Sequence, residues 1–406
     1  MAIQTSSNLS NAVTTRYTTR YQRAAELVRL YDQLASPVGA PQFELETRRG
    51  LGSTYTFNFV SDMTPGTSTI SETADITPQV LRDATSTITP TSRAEAMKWS
   101  QLIDLSAYTD YVAARMEVLG RNMMETVDNQ AKAAALQGSL VVRGAARASL
   151  DAGTATHNWT EAAIWTAVST AESLKMPNFT DGKGRKMLLA IAHPDAYYDL
   201  FHGGNVVSAA IYQDKGILFN GELGEIANCK LIISPFAKVF GGAGADNGTS
   251  MNTGTGYNFS SAASALDKTI NVTTATNISA GRFLTLGTEE TANTHYDTNE
   301  RVKYVSGTTA AVIVGSGANG GIRFDHPTTD YVINNDSVYP VAYGSPKSLV
   351  KVFASEVGEF GEVVGPMKDG SAEQWTSLAW KWFGGYGRMA ENYLIRGEYS
   401  SSLDNV

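Results

Sequence analysis

The chain has almost no cysteine and little histidine. Cys229 is the single cysteine among 406 residues, which excludes an intrachain disulfide, so stability has to come from packing or association. The five histidines lie apart, without the spacing of metal ligands: His157, His193, His202, His295 and His326. The sequence therefore predicts no disulfide framework and no metal site.

Charge is also scarce. Charged residues make up 18% of the chain, and the formal net charge is -8. Proteins that grip nucleic acid normally carry a basic domain or stripe, so this balance argues against a dedicated nucleic-acid binder. A protein that encloses DNA without sequence-specific binding would not need such a stripe.

Long apolar runs are absent too. No segment approaches the ~20 consecutive apolar residues that span a bilayer. Residues 1–40 lack the basic start and apolar centre of a secretory signal. We expect a protein that is made in a cytoplasm, stays soluble and has no membrane partner.

A glycine-rich run from Gly315 to Gly320 fits the G-x-G-x-x-G pattern of dinucleotide-binding loops. Such a loop has to open directly into a helix, whose N–H groups then meet the pyrophosphate. Here the chain continues from Gly321 to Pro327 in a pattern typical of a strand and a turn. The run is therefore predicted to be a turn, and no cofactor is expected.

One pair of residues could support nucleophilic catalysis. His193, followed by Asp195, could act as a general base toward the thiol of Cys229. Cys229 lies in the apolar segment 227–233, however, which is typical of a buried strand, and buried cysteines are usually inert. A core thiol is the favoured interpretation, and a Cys/His hydrolase stays an alternative.

Two clusters of oxygen-bearing side chains are further candidate sites. Asp246, Asn247 and Thr249 could offer ligands to Ca²⁺, but they lack the spacing and the closing glutamate of an EF-hand. The acidic pair Glu289-Glu290 is typical of a solvated loop. The sequence thus predicts no catalytic residue, no cofactor site and no metal site.

The first part of the chain divides into an arm and a hairpin. Residues 1–46 begin with Ser, Thr and Asn and are predicted to form an N-terminal arm, with a helix from Arg20 to Ala35. Within 47–103, Tyr55, Phe57 and Phe59 alternate with polar residues, which predicts a half-buried strand of a β-hairpin. This hairpin is too poor in apolar residues to hold its own core, so another subunit is expected to stabilise it.

The rest of the chain alternates between two compositions. Residues 104–180 contain the strongest helical pattern, from Tyr111 to Leu136, and a second helix from Thr160 to Leu174, with Asn158 or Thr160 as its N-cap. Residues 181–240 are mixed α and β, and this composition returns at Val338. We therefore predict an α+β protein.

Between these segments, residues 241–337 are dense in Gly, Thr, Asn and Ser. The mixed composition stops at Phe240 and resumes at Val338, which indicates an inserted all-β domain rather than a tandem one. Its predicted strands are Lys268–Val272, Arg282–Leu286, Arg301–Val305, Ala311–Val314 and Ile322–Phe324.

The order of these parts resembles one family. An arm, a projecting hairpin, a long spine helix, a mixed domain and a closing strand follow each other as in the HK97-like major capsid proteins of tailed bacteriophages. The local matches are most similar to the N4-like podovirus group: Thr69–Pro78, Leu119–Arg121, Thr126–Asp128, Val338–Gly344, Leu378–Tyr386 and Asn392–Arg396. The hairpin departs from the group at Glu72-Thr73, where glycine often follows the glutamate.

The resemblance implies a fold and a function. In this fold 47–103 is the E-loop hairpin, 104–180 with 371–406 the peripheral domain, and 181–240 with 338–370 the axial domain. Such a chain self-assembles into pentamers and hexamers that form an icosahedral head around phage DNA. Scaffolding, portal and cement or decoration proteins are the expected partners, and the virion is the expected location.

Four hairpin residues are predicted to contact an adjacent subunit: Tyr55, Phe57, Phe59 and Glu72. An alternative to a capsid is another virion component or a surface-layer protein, which the Thr- and Asn-rich β segments would also suit. Such a protein would lack the long helix from Tyr111 to Leu136, so that helix distinguishes the two hypotheses.

Overall fold

The computed structural model describes most of the chain between residues 30 and 405. The described residues are 30–37, 54–60, 63, 65–66, 78–106, 111–180, 186–202, 225–245, 258–273, 278, 280–288, 298–307, 310–345, 348–353, 361–370 and 374–405. None of the helices within these ranges is long and apolar enough to cross a membrane.

The described part of the chain has few helices and many strands, and its α-helices all lie before residue 203. The α-helices are α1 (Gln101–Ser106), α2 (Tyr111–Leu136), α3 (Glu161–Ser173) and α4 (Pro194–His202). The strands are β1 (Ala35–Pro37), β2 (Tyr55–Val60), β3 (Asp83–Ile88), β4 (Thr91–Ser100), β5 (Val141–Arg143), β6 (Phe179–Thr180), β7 (Lys186–Ala192), β8 (Glu225–Ile226), β9 (Cys229–Ile233), β10 (Thr269–Asn271), β11 (Phe283–Gly287), β12 (Glu300–Ser306), β13 (Ala310–Val314), β14 (Tyr331–Ile333), β15 (Tyr339–Gly344), β16 (Leu349–Phe353), β17 (Glu362–Asp369), β18 (Trp375–Arg388) and β19 (Leu394–Tyr399). Short 3₁₀ turns lie at Tyr31–Leu34, Arg147–Ser149, Ala155–His157, Ala318–Gly320, Glu391–Tyr393 and Ser402–Asn405.

These elements belong to two compact units, and the first lies within residues 35–131 and 349–390. Its sheet has the order β1-β16-β18-β17, and β4 also pairs with β18. The apolar stripe of α2 packs on tryptophans of this sheet in a core of Trp99, Met116, Leu119, Met123, Met124, Val127, Leu378, Trp380 and Trp382. The indole Nε1 of Trp380 donates to Asn122 Oδ1 over 3.0 Å, which satisfies the polar atom of a buried ring.

The second unit lies within residues 30–34, 132–348 and 391–406. Its larger sheet has the order β5-β19-β15-β7-β9-β8, with β6 also paired to β7. Helix α3 begins after Thr160, whose side chain accepts from the Ala163 amide, so Thr160 rather than Asn158 is the N-cap. Ile164 and Val168 of α3 lie in the buried core of this unit together with Trp159, Tyr343 and Cys229.

A five-stranded antiparallel sheet completes the second unit, in the order β10-β13-β12-β11-β14. Inward-facing side chains alternate along its strands and form a separate core that includes Leu284, Val302 and Ile313. Four of its strands lie where the sequence predicts them. The predicted strand at Ile322–Phe324 is wrong: the Arg323 and Phe324 amides bond the carboxylate of Glu300, and the fifth strand is β14.

One other sequence prediction changes. The helix predicted from Arg20 to Ala35 falls largely outside the described residues, and its end is wrong because Ala35 already pairs with Leu349 in β1. The strands after Val338 pair with two different sheets. β16 and β17 belong to the sheet of β18, while β19 pairs with β15. Local composition does not reveal such distant pairing.

Candidate functional site

The hairpin that carries the predicted contact residues forms between β2 and β3. The two strands pair antiparallel from Tyr55 and Ile88 at the base to Val60 and Asp83 at the far end. Tyr55, Phe57 and Phe59 all lie on β2, where the alternation predicts them. Glu72 lies outside the described residues.

The base of the hairpin is anchored within its own unit. Ile88 is buried with Val350 and Val352, and Tyr55 and Met389 pack against this group. Partial burial raises the pKa of Tyr55 above its ordinary value. The Ser86 hydroxyl donates to the carbonyl oxygen of Arg388 over 3.0 Å. Tyr55 thus makes intrachain contacts in addition to any that it makes with a neighbour.

The far end of the hairpin is apolar and exposed. Four large side chains face solvent there, and we call them the hairpin tip: Val60 (66% exposed), Met63 (61%), Val80 (89%) and Leu81 (52%). Single exposed apolar residues are ordinary, but four in the segments that continue β2 and β3 beyond their last pair make this part of the hairpin a candidate contact surface. Sequence reasoning missed these residues, although Val80-Leu81 is the one adjacent apolar pair in an otherwise polar stretch.

The residues of the hydrolase alternative lie in a structural network. The Asp195 carboxylate is 2.5 Å from a guanidinium nitrogen of Arg301 and accepts from the Tyr339 hydroxyl over 3.2 Å. The same guanidinium bonds Asp404, to which Tyr339 also donates over 2.7 Å. Asp195 Oδ2 is therefore held by two donors, and it lies 3.7 Å from His193 Nδ1, beyond hydrogen-bond distance.

Cys229 is buried and His193 is largely so, with 15% of its side chain exposed. Burial lowers the pKa of His193 to about 4, against the opposing effect of Asp195. Its Nδ1 accepts from the Asp195 amide over 3.2 Å. Cys229 has no exposed surface and lies in the core of the large sheet, as the favoured interpretation of a core thiol predicts.

The other candidate sites give no ligand-binding geometry. The run from Gly315 to Gly320 is a loop that ends in the 3₁₀ turn Ala318–Gly320, and the next regular element is the strand β14, which confirms the predicted turn. Asp246, Asn247, Thr249, Glu289 and Glu290 lie outside the described residues. Within the described ranges, no group of three or more metal-ligating side chains could hold an ion.

No protein-family model and no curated protein sequence matches this chain. Solved structures do match over nearly its whole length. A chain of the capsid of Ralstonia phage GP4 is 11% identical with a TM-score of 0.50, covering 88% of this chain and 86% of its own length. A chain of the cyanophage Pam1 capsid is 13% identical with a TM-score of 0.50, covering 88% and 87%. The chain therefore has the fold of these phage capsid proteins, in agreement with the predicted HK97-like capsid fold.

Proposed function

We propose that this chain is the major capsid protein of a tailed bacteriophage, which self-assembles into pentamers and hexamers of an icosahedral head. The fold shared with two phage capsids supports this function, and the hairpin is the single observation that carries it. Its base is fixed in the chain's own core, whereas its tip exposes four apolar side chains. A hairpin with a fixed base and an exposed apolar tip is suited to a contact in which a neighbouring molecule covers the tip.

The energetics favour a second copy of the chain as that neighbour. Covering a Val, Leu or Met side chain contributes ~1.5–3 kcal/mol, and a lone two-stranded hairpin is marginally stable in water. In a shell of identical subunits every copy both donates and receives such a hairpin, so many modest contacts add up. We include Tyr55, Phe57, Phe59 and Glu72 with the hairpin tip in this proposed interface.

The remaining features fit a shell that encloses DNA. A net charge of -8 suits a protein that surrounds DNA without sequence-specific binding. The 26 residues of α2 favour a capsid protein over a surface-layer or tail protein. We propose further that the chain is synthesised in the host cytoplasm, resides in the virion and assembles with scaffolding, portal and cement or decoration proteins.

Two finer assignments are part of the proposal. Residues 241–337 are an inserted all-β domain that faces outward from the head, because a surface position is where an added domain disturbs packing least. The short motifs, Val338–Gly344 among them, group the chain with the N4-like podovirus capsids. Deleting 241–337 without any loss of particle stability would contradict a bracing role for that domain.

Sedimentation of the expressed chain tests the proposal. We expect material far larger than the 43.5 kDa monomer, with or without a scaffolding partner. Reversing the charge at position 72 by Glu72→Lys is expected to reduce the fraction of the protein in large material while the monomer stays folded. Unchanged assembly of Glu72→Lys would remove Glu72 from the interface, and the absence of any large species with scaffold present would contradict the function.

A further inference from the structure

His326 lies between two carboxylates in the five-stranded sheet. Its Nε2 is 3.0 Å from Glu300 Oε1, and its Nδ1 is 2.8 Å from Asp330 Oδ2. The ring is fully buried and stacks on Phe259 with 5.6 Å between centroids. Glu300 and Asp330 are the charged groups that face this ring within the described residues, so both ring nitrogens meet an acceptor.

The two carboxylates differ in their other partners. Glu300 also accepts from the Arg323 amide over 2.8 Å and the Phe324 amide over 3.2 Å, and its side chain is 3% exposed. Asp330 has a side chain that is 20% exposed, so water can reach it. Loss of a ring proton therefore affects the Asp330 bond first, because Asp330 is the carboxylate that water can solvate.

The backbone at His326 is held independently of its ring. Its amide donates to Ala263 and its carbonyl accepts from Ala263, both over 2.9 Å. Asp330 follows a turn closed by its amide and the Pro327 carbonyl at 3.0 Å, and it directly precedes β14. Because β14 is the last strand of the sheet order, the His326–Asp330 bond joins this terminal strand to the sheet's core.

We propose that the proton on His326 is a latch that holds the turn 327–330, and with it the start of β14, against the sheet. The doubly protonated ring donates to both carboxylates at once. The neutral ring has one N–H, and its other nitrogen then faces a carboxylate with no proton to give. The neutral ring keeps the bond to buried Glu300 and releases Asp330 to water, so the turn opens while the rest of the sheet stays folded.

The direction of the pH response follows from the same contacts. Burial lowers the pKa of His326, but its hydrogen bonds to Glu300 and Asp330 outweigh this, and the net result is a pKa above the ordinary 6.5. A raised histidine pKa gives stability that is complete below the unfolded value and is lost as pH rises through the folded value. The latch is thus closed in mildly acidic solution and opens toward alkaline pH.

Hydrogen exchange of the full chain, measured by mass spectrometry across pH and corrected for intrinsic rates, tests the latch. Protection of the amides of residues 328–333 is expected to fall by about tenfold as pH rises through the folded pKa, the size of one charge-assisted hydrogen bond. Asp330→Asn should remove this dependence and keep the turn protected, because the amide can donate to unprotonated Nδ1. The control variant His202→Gln changes an exposed histidine and should leave the dependence intact.

A second measurement keeps the test decisive if a variant fails to fold. The histidine NMR signal that disappears in His326→Gln should titrate above the ordinary value in the wild-type chain. Protection of 328–333 that is independent of pH, or equally dependent in Asp330→Asn, would overturn the proposal. So would a His326 signal that titrates below 6.5.

Discussion

Ile88 fills the space that a side chain at residue 387 would need. A Cβ atom built on Gly387 would lie 2.4 Å from Cγ1 of Ile88, well inside van der Waals contact. Gly387 belongs to β18, the long central strand of its sheet, and Ile88 ends β3 of the hairpin. Because Gly387 has no side chain, the base of the hairpin can pack closely against the sheet.

Substitutions at Gly387 and Ile88 should partly compensate each other in their effects on the free energy of unfolding. Gly387→Ala is expected to cost about 1–3 kcal/mol of unfolding free energy, because it overpacks a filled site. Ile88→Ala alone should cost about 2–5 kcal/mol through the cavity it leaves. Denaturant unfolding of the double variant should give less than the sum of the two costs, whereas simple additivity would contradict this packing.

Charge at the hairpin tip should block assembly without unfolding the monomer. Val80→Asp places a carboxylate where the proposed neighbour covers an apolar side chain, so each contact loses about 2 kcal/mol or more. We expect the large-particle fraction to drop sharply while the melting temperature of the monomer is unchanged. Thr85→Asp adds the same charge to an exposed position of β3 and serves as the matched control. If Val80→Asp assembles as well as Thr85→Asp, the tip is not an interface.

Elements with strong local patterns could be predicted from the sequence. Helix α2 begins and ends at the predicted residues, Tyr111 and Leu136, because its apolar stripe is regular over many turns. Thr160 was predicted as an N-cap from its side chain and the apolar pattern that follows. The strand of Cys229 was predicted from the apolar segment 227–233, and it is observed at Cys229–Ile233.

Features that depend on distant residues could not be predicted. Ile322–Phe324 has the composition of a strand, but the amides of Arg323 and Phe324 donate to the carboxylate of Glu300. No local sequence pattern indicates that interaction. The pairing of β4 with β18 joins residues that are distant in sequence, such as Trp99 and Thr376, which are 277 positions apart. The ion pairs of Arg301 likewise unite three separate segments, so neither composition nor spacing reveals them.

Removing Arg301 should destabilise the second unit strongly. Its guanidinium is shared by Asp195 and Asp404, so Arg301→Ala leaves two largely buried carboxylates without their cation. Loss of one partner of a buried ion pair typically costs about 3–5 kcal/mol. Arg301→Lys should recover little of this, since an ammonium group lacks the planar fork that reaches both acids. Thermal unfolding of the wild-type chain and the two variants measures their relative stability. A lysine variant as stable as wild type would contradict the prediction.

Acid should weaken the fold through His193. Its pKa is about 4 in the folded chain against 6.5 when unfolded, so the unfolded state binds more protons between these values. Stability is therefore expected to fall as pH drops from 6.5 toward 4, by up to about 3 kcal/mol from this residue. The direction is opposite to that of His326. His193→Gln should flatten the acid side of the stability curve, and an equally steep curve in that variant would contradict the assignment.

The central claim is that copies of this chain build a closed shell. Negative-stain electron microscopy of the chain expressed in bacteria, alone and with a phage scaffolding protein, tests it most directly. We predict closed particles, open curved sheets, or rings of five and six subunits. A folded chain that stays monomeric in both preparations would contradict the capsid function.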